Sequence, residues 1–348
     1  MRRVVPVEEY ATALERELAL RFPDTSAWPV DTLYFGGGTP SKLGAMGVAR
    51  ALEILQSRVQ LSEHTEVTLE ANPEDLTPES ARAWREAGVN RLSIGSQSFD
   101  DRVLEWMHRT HDAGAIGRAV DAARNAGIDN ISLDLIFALP ERTSRSWQRD
   151  VEQALALEPS HLSLYGLTIE PHTPLGRWQA RGEVIESPDE NYEAEFLHAH
   201  DALGASGLEH YEVSNFGKPG KRSRHNSSYW LGVPYAGLGP SAHEFDGESR
   251  RWNAKAYAEW VDRLTAGTDP VEEREQLTGE NRVAEQVYLG LRTIDGLVLS
   301  EPEIERVERW IKAGWAVLAE GNRLTLTPLG WLRLDALAAD LTLVRSHY

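Results

Sequence analysis

The sequence predicts an α/β protein: repeated β/α units of a barrel or a doubly wound sheet, then an accessory segment, then a small C-terminal winged-helix-like domain. Three observations predict it. Helix-like and strand-like segments alternate through residues 1–172 with the regularity of parallel pairing. Each strand-like run ends in glycine or a polar residue, at the edge where β/α proteins build their sites. Beyond Pro171 the alternation gives way to a loop-rich stretch, and then to helices and a hairpin.

Taken in order, Val7–Phe22 places Tyr10, Leu14 and Leu18 on one helical stripe. Thr32–Phe35 is a short apolar strand running into Gly36-Gly37-Gly38. Met46–Leu55 reads as a helix and Glu66–Ala71 as a strand. Thr77-Pro78 opens a helix with a capping residue and a proline at its first position, and Gly88 closes it. Arg91–Ile94 is a strand, and Asp101–Met107 and Asp112–Ala126 are helical, the second ended by Gly127. Ile131–Ala138, Ser144–Leu157 and His161–Leu167 give strand, helix and a last strand.

After residue 172 the signals thin. Asp189–Leu203 is helical. A loop-rich stretch follows, holding His210-Tyr211-Glu212, Arg224-His225-Asn226 and Tyr229-Trp230, and Gly232–His243 suggests tight backbone beside a ligand or a sheet. Tyr257–Leu264 is a helix that ends the accessory region, residues 173–268. Residues 269–348 offer helices at Gln276–Thr293 and Glu301–Ala313 and a hairpin around Gly321-Asn322.

Composition sets the outer limits. The chain has 348 residues, 41% hydrophobic and 26% charged, enough for a large core. A formal net charge of −18 argues against a nucleic-acid partner, whose binding needs basic surface. No apolar run suits a transmembrane helix, and Met1-Arg2-Arg3 leads into Val-Val-Pro and an acidic helix, without the apolar core of a signal peptide. The expected location is the cytoplasm. A cysteine count of 0 excludes disulfides, thiolate metal sites and thiol nucleophiles.

The glycine run after the first strand is neither GxGxxG nor GxxxxGK[ST], so the phosphate-binding motifs fail. His108-x-x-His111 and His198-x-His200 lack the carboxylates of a metalloprotease motif and read as solvated or structural. The series as a whole says more. LYFGGGTP, TLEANPEDL, GVNRLSIGSQSF, MHRTH, ISLDLIFALP and LSLYGLTIEP, in that order, resemble the radical-SAM family of oxygen-independent coproporphyrinogen III oxidase and the HemW-type heme chaperones. The resemblance covers nearly the whole chain. It implies a TIM-like radical-SAM barrel and S-adenosyl-L-methionine contacts at Gly37, Gly38, Thr39, Glu70, Gln97, Arg109, Asp134 and Thr168. A zwitterionic ligand needs such a mixture of carboxylate, cation and hydroxyl groups on rigid strand ends.

His210–Phe216 and Ser223–Trp230 resemble the heme-chaperone branch, with an HNxxYW element complete. This implies heme contacts at His225, Asn226, Tyr229 and Trp230, with His225 as a candidate ligand to heme iron, since imidazole is a usual axial ligand. The implied function is heme binding and delivery to heme-accepting proteins. The alternatives are a coproporphyrinogen III oxidase and a cluster-free module binding S-adenosylmethionine or porphyrin. No catalytic residue is singled out.

The resemblance also implies a 4Fe–4S cluster held by CxxxCxxC after the first barrel strand, and this chain has no cysteine for it. The strand and loop expected before Val7 are missing as a block, so the barrel is expected to lack its first strand. Two explanations fit: a start assigned downstream of the true one, or a relative without a cluster. The loss of a whole unit favours the first. It predicts that DNA upstream of Met1 encodes, in frame, a short apolar strand followed by CxxxCxxC; a stop codon immediately upstream would favour the second.

Overall fold

The computed structural model describes residues 6–23, 28–140, 143–171 and 173–346. Its first half is the expected alternation: α1 (Val7–Arg21), β1 (Trp28–Phe35), α2 (Gly44–Gln56), β2 (Val59–Ala71), α3 (Pro78–Ala87), β3 (Arg91–Gln97), α4 (Asp101–Trp106), α5 (Ala113–Asn125), β4 (Asn130–Phe137), α6 (Trp147–Ala156) and β5 (His161–Gly166). The Thr77-Pro78 and Gly88 signals act as read, and two further caps join them. Thr77 and Ser80 form a reciprocal capping box on α3, and Gly88 takes a left-handed φ of 116° at its end. Asp112 caps α5 and Ser146 caps α6.

β1 to β5 pair in parallel in sequence order. Along each strand the side chains alternate. Val67, Leu69, Leu92, Ile94, Leu133, Leu135, Leu162 and Leu164 are buried in the main core with Trp84, Ile116 and Trp147 of the flanking helices. The other face of the curled sheet is polar.

The second half holds more regular structure than the sequence predicts. α7 (Pro174–Ala180) and α8 (Asp189–Ala205) lead to β6 (Glu209–Glu212) and β7 (Asn215–Gly217). These two strands extend the sheet to seven in the order β1-β2-β3-β4-β5-β7-β6, with β7 antiparallel to β5, so His161–Gly166 is the last strand of the parallel β/α series, as expected. α9 (Arg224–Trp230) is a helix where the sequence reads as loop. Its seven residues are too few to display an apolar period, and Ser223, whose side chain accepts from the Asn226 N–H, is the only local signal.

β8 (His243–Phe245), β9 (Ser249–Asn253) and β10 (Val271–Gln276) form a separate antiparallel sheet, with α10 (Tyr257–Thr265) between the last two. The tight backbone expected in Gly232–His243 serves this sheet: a Cβ on Gly237 would lie 1.9 Å from the His243 carbonyl oxygen. The C-terminal part comprises α11 (Gly279–Arg292), β11 (Leu297–Val298), α12 (Glu301–Lys312), the β12 (Ala316–Ala319) and β13 (Arg323–Leu326) hairpin, α13 (Pro328–Trp331) and α14 (Leu334–Arg345). The two helices and the hairpin lie where the sequence suggested them, with β11 as an added strand. The main core continues from the barrel through Phe216 and Val287 to Leu341.

α1 is tied to the accessory region by one buried carboxylate. Glu17 is fully buried and accepts hydrogen bonds from Asn253 Nδ2 at 2.6 Å, the Gly239 N–H at 2.9 Å and Trp260 Nε1 at 3.0 Å, and pairs with Arg21 at 2.6 Å. Glu17→Ala would leave the Gly239 N–H and Trp260 Nε1 without their acceptor and remove one of two carboxylates from the buried Arg21, which keeps Glu244. The expected cost is about 3 kcal/mol or more, read as a lower denaturant midpoint. Glu53→Ala, which breaks an exposed pair with Arg50, should leave the denaturant midpoint essentially unchanged. Equal effects of the two substitutions would refute the assignment.

Candidate functional site

The polar face of the half-barrel carries Thr32 and Tyr34 from β1, Glu66, Thr68 and Glu70 from β2, Arg91 and Ser93 from β3, Ser132 and Asp134 from β4, and His161, Ser163 and Tyr165 from β5. Strand register aligns them in rows: Thr32 with Glu66, Tyr34 with Thr68 and Arg91, and Glu70 with Ser93, Ser132 and His161.

At the rim, Tyr34 donates its hydroxyl to Glu70 Oε1 at 2.6 Å, and the Gly37 N–H reaches Glu70 Oε2 at 3.1 Å. Ser93 Oγ donates to both oxygens of Asp134, at 2.9 and 3.0 Å. Burial pushes the Asp134 carboxyl up to about 6; bonds from Ser93 and Ser163 oppose the shift and the charge of Glu70 adds to it. Burial, then Glu70, and more weakly Asp134, raise the Tyr34 phenol as well. Gly37 and Gly38 have φ of 76° and 69°, with open space where a Cβ would stand. Gly36 has none: a Cβ there would come within 2.3 Å of the Tyr34 ring. Gln97, at the end of β3, is held at a left-handed φ of 65°, a conformation that costs free energy and is concentrated at functional sites.

α9 lies against this face. Glu66 Oε1 accepts the His225 N–H at 3.0 Å and Glu66 Oε2 the Arg224 N–H at 3.2 Å. His225 then enters the polar face. Its ring stacks on Tyr34 with centroids 4.7 Å apart, Nδ1 lies 2.8 Å from Thr32 Oγ1, and Nε2 lies 2.9 Å from the Tyr229 hydroxyl. Burial, with the Arg91 charge adding, lowers the imidazole to about 4, so His225 is neutral at pH 7. Trp230 lies under the Arg292 guanidinium at 4.1 Å, and Arg292 pairs with the buried Glu212 at 2.8 Å, which joins α9 to α11. The Trp230 indole N–H is buried without a hydrogen-bond partner.

The sequence-predicted residues therefore divide. Glu70, Asp134 and Gly37 meet His225 and Tyr229 around Tyr34. Asn226 sits in the first turn of α9 with its N–H on Ser223 Oγ at 3.3 Å. Arg109 belongs to the loop after α4, beside an open pocket of about 450 Å³ that includes His108 and His111, and its charged neighbour is Glu74. Thr39 precedes a short 3₁₀ turn (Pro40–Leu43), and Thr168 is exposed beyond β5. His111 is buried with Nδ1 3.3 Å from Glu74 Oε2, and His200 Nδ1 lies 3.0 Å from His210 Nδ1; both are structural positions. Sequence reading missed Thr32, Tyr34, Glu66, Arg91 and Tyr165. Their signal was available: β1 to β5 alternate polar with apolar residues, whereas parallel strands covered on both faces by apolar packing read as continuous apolar runs.

The comparisons with known proteins agree on the class. The profile of the Radical SAM superfamily matches residues 9–154. The solved structure of Escherichia coli coproporphyrinogen III oxidase (HemN), described as a radical SAM enzyme, superposes with a TM-score of 0.81 over 98% of this chain and 84% of that one. At 21% identity this likeness establishes the fold. The fold and the profile define a radical SAM protein.

The branch follows from closer relatives. The heme chaperone HemW of Mycobacterium tuberculosis is 37% identical over 347 residues, 97% of this chain and 87% of its own. The heme chaperone HemW of Bacillus subtilis is 34% identical over 293 residues, 84% of this chain and 77% of its own. The chain belongs to the HemW family of heme chaperones.

A 4Fe–4S cluster, which the superfamily implies, does not fit the residues present. Such clusters are held by thiolates, and the 348 residues include no cysteine. Among the described residues no group of three or more His, Asp or Glu could hold a metal ion either. This chain, reconstituted anaerobically with iron and sulfide and then desalted, should retain neither in stoichiometric amount. Retention of four irons and four sulfides per chain would contradict this.

Proposed function

We propose that this chain binds heme on the polar face of the half-barrel and passes it to heme-accepting proteins in the cytoplasm. His225 is the axial ligand, flanked by Asn226, Tyr229 and Trp230. One observation carries the reading: in a chain of the HemW family, a neutral imidazole stands buried between Tyr34 and Tyr229. Iron takes the lone pair of a neutral imidazole nitrogen, and a ring already deprotonated at pH 7 needs no proton loss on loading. Both ring nitrogens are engaged in this structure. Loading exchanges the Tyr229 contact at Nε2 for iron, while Thr32 at Nδ1 keeps the ring oriented, as partners on the far nitrogen do for metal-bound histidines. None of the helices formed by the described residues is long and apolar enough to cross a membrane.

A second ligand is supported by the rim. The Glu70 and Asp134 carboxylates and the open backbone at Gly37 and Gly38 suit the ammonium and hydroxyl groups of S-adenosylmethionine, with Thr39, Gln97, Arg109 and Thr168 on surrounding loops. The oxidase alternative has support from the fold alone.

Heme titrated into wild type should give a saturable Soret shift. In His225→Ala the shift should change in position, and affinity should fall roughly tenfold or more, as expected when a buried ligand bond is lost. Identical spectra and affinities in the two proteins would overturn the assignment.

A further inference from the structure

Arg91 opens β3 on the polar face, and its side chain is only 2% exposed. Among the described residues its guanidinium forms neither an ion pair nor a hydrogen bond, and its Nε is buried without a partner. Its neighbours in register share this condition. Thr68, opposite it on β2, has a buried hydroxyl with no partner, and Asn130, opposite it on β4, has a buried amide oxygen with none. Three adjacent strands, about 4.8 Å apart, thus present a row of unmatched polar atoms to the same face. The row continues through Tyr34 on β1, the ring on which His225 stacks.

Arg91 acts on the Asp134 carboxylate through its field, but among the described residues it contacts no carboxylate; a buried cation without a contacting partner is costly, and proteins keep such groups where an anion completes them. A guanidinium is a planar fork that matches a carboxylate with two parallel N–H donors. Thr68 supplies an O–H donor. The Asn130 amide can turn its nitrogen inward, because its oxygen and nitrogen are interchangeable in outline. Arg91 is also the cation whose field reaches Asp134, His161, Tyr211 and His225, which puts it at the centre of the face.

We infer that Thr68, Arg91 and Asn130 form a carboxylate-binding subsite on the floor of the half-barrel, taking an acid group of the ligand held on this face. The inference rests on the ligand binding proposed above and adds its anchor. Heme propionates and the carboxylate of S-adenosylmethionine offer the same chemistry, so both are tested.

The test compares wild type, Arg91→Met and Thr68→Val in the full chain, each titrated with heme, heme dimethyl ester, S-adenosylmethionine and its methyl ester. For at least one acid–ester pair, wild type should prefer the acid. Arg91→Met should lose roughly tenfold in affinity for that acid and little for its ester, and Thr68→Val should lose a smaller factor in the same sense. The pair that discriminates identifies the ligand whose acid is held. The inference is overturned if wild type discriminates in neither pair, or if the ester loses as much as the acid. Unfolding of the ligand-free proteins supplies a readout that does not depend on heme. Removing an uncompensated buried charge should leave the Arg91→Met midpoint unchanged or higher. A lower midpoint would mean that Arg91 is satisfied within the protein, and would also overturn the inference. Failure of His225→Ala to alter the Soret band would refute the axial ligand and leave these acid–ester comparisons standing.

Discussion

The contact on which the concave face depends is the Glu66 carboxylate at the start of α9. A half-barrel with one polar face must find partners for that face, and here a helix supplies them. The first turn of a helix carries unpaired N–H groups and the positive end of the helix dipole. Glu66 meets both, through the N–H groups of Arg224 and His225. A second anchor converges on the same turn: Ser132 Oγ and His161 Nδ1 are 2.8 Å apart, His161 Nε2 and the Tyr211 hydroxyl are 2.8 Å apart, and Tyr211 accepts the Ser223 N–H at 3.2 Å. The position of His225 follows from these contacts. Its own side chain adds orientation through Thr32 and Tyr229.

Much of the barrel was legible because its signals are local. Capping residues and closing glycines act over a few positions: side chains cap α3, α5 and α6, and Gly88 and Gly127 follow α3 and α5. The accessory region was legible only in part because its elements are made by their partners. β10 reads VEEREQ, a charged run with no strand pattern, and becomes a strand by pairing with β9. β7 spans three residues and exists because β5 and β6 flank it. Within the candidate site, Glu70 and Asp134 stood out at strand ends. Glu66, in the middle of β2, and Arg91, at the start of β3, look like ordinary surface charges until the sheet curls round them. His225 came from the motif resemblance, since a lone histidine in a polar segment carries no signal of burial.

Fold and family answer different questions here. The likeness to the oxidase fixes the architecture at 21% identity and leaves the chemistry open, because one scaffold supports several functions. The relation to HemW proteins is closer in sequence and also spans nearly the whole chain. The residues that bear on the choice lie on α9 and its anchors. Arg292, the last residue of α11, pairs with Glu212 and covers Trp230, so the C-terminal part takes a share in holding α9. The same helix is thus held by the barrel on one side and by the C-terminal part on the other.

That arrangement bears on how a carrier could both take and release its cargo. A histidine already hydrogen-bonded at both nitrogens is not an open valence waiting for iron. On the proposed reading, loading displaces the Tyr229 hydroxyl, which forfeits a net contribution of about 1 kcal/mol and weakens binding by about fivefold relative to an unengaged imidazole. The same hydroxyl re-forms its bond when the cargo leaves, so the emptied site has a stable state of its own and no buried nitrogen is left unpaired. Thr32 holds the ring throughout, which confines the exchange to one nitrogen. The ring is neutral in the emptied site, because burial, with the Arg91 charge adding, lowers it to about 4. Loading and release then differ only in what occupies Nε2. The polar face reads as a place of exchange between two alternative partners, a requirement that a permanent cofactor site does not have.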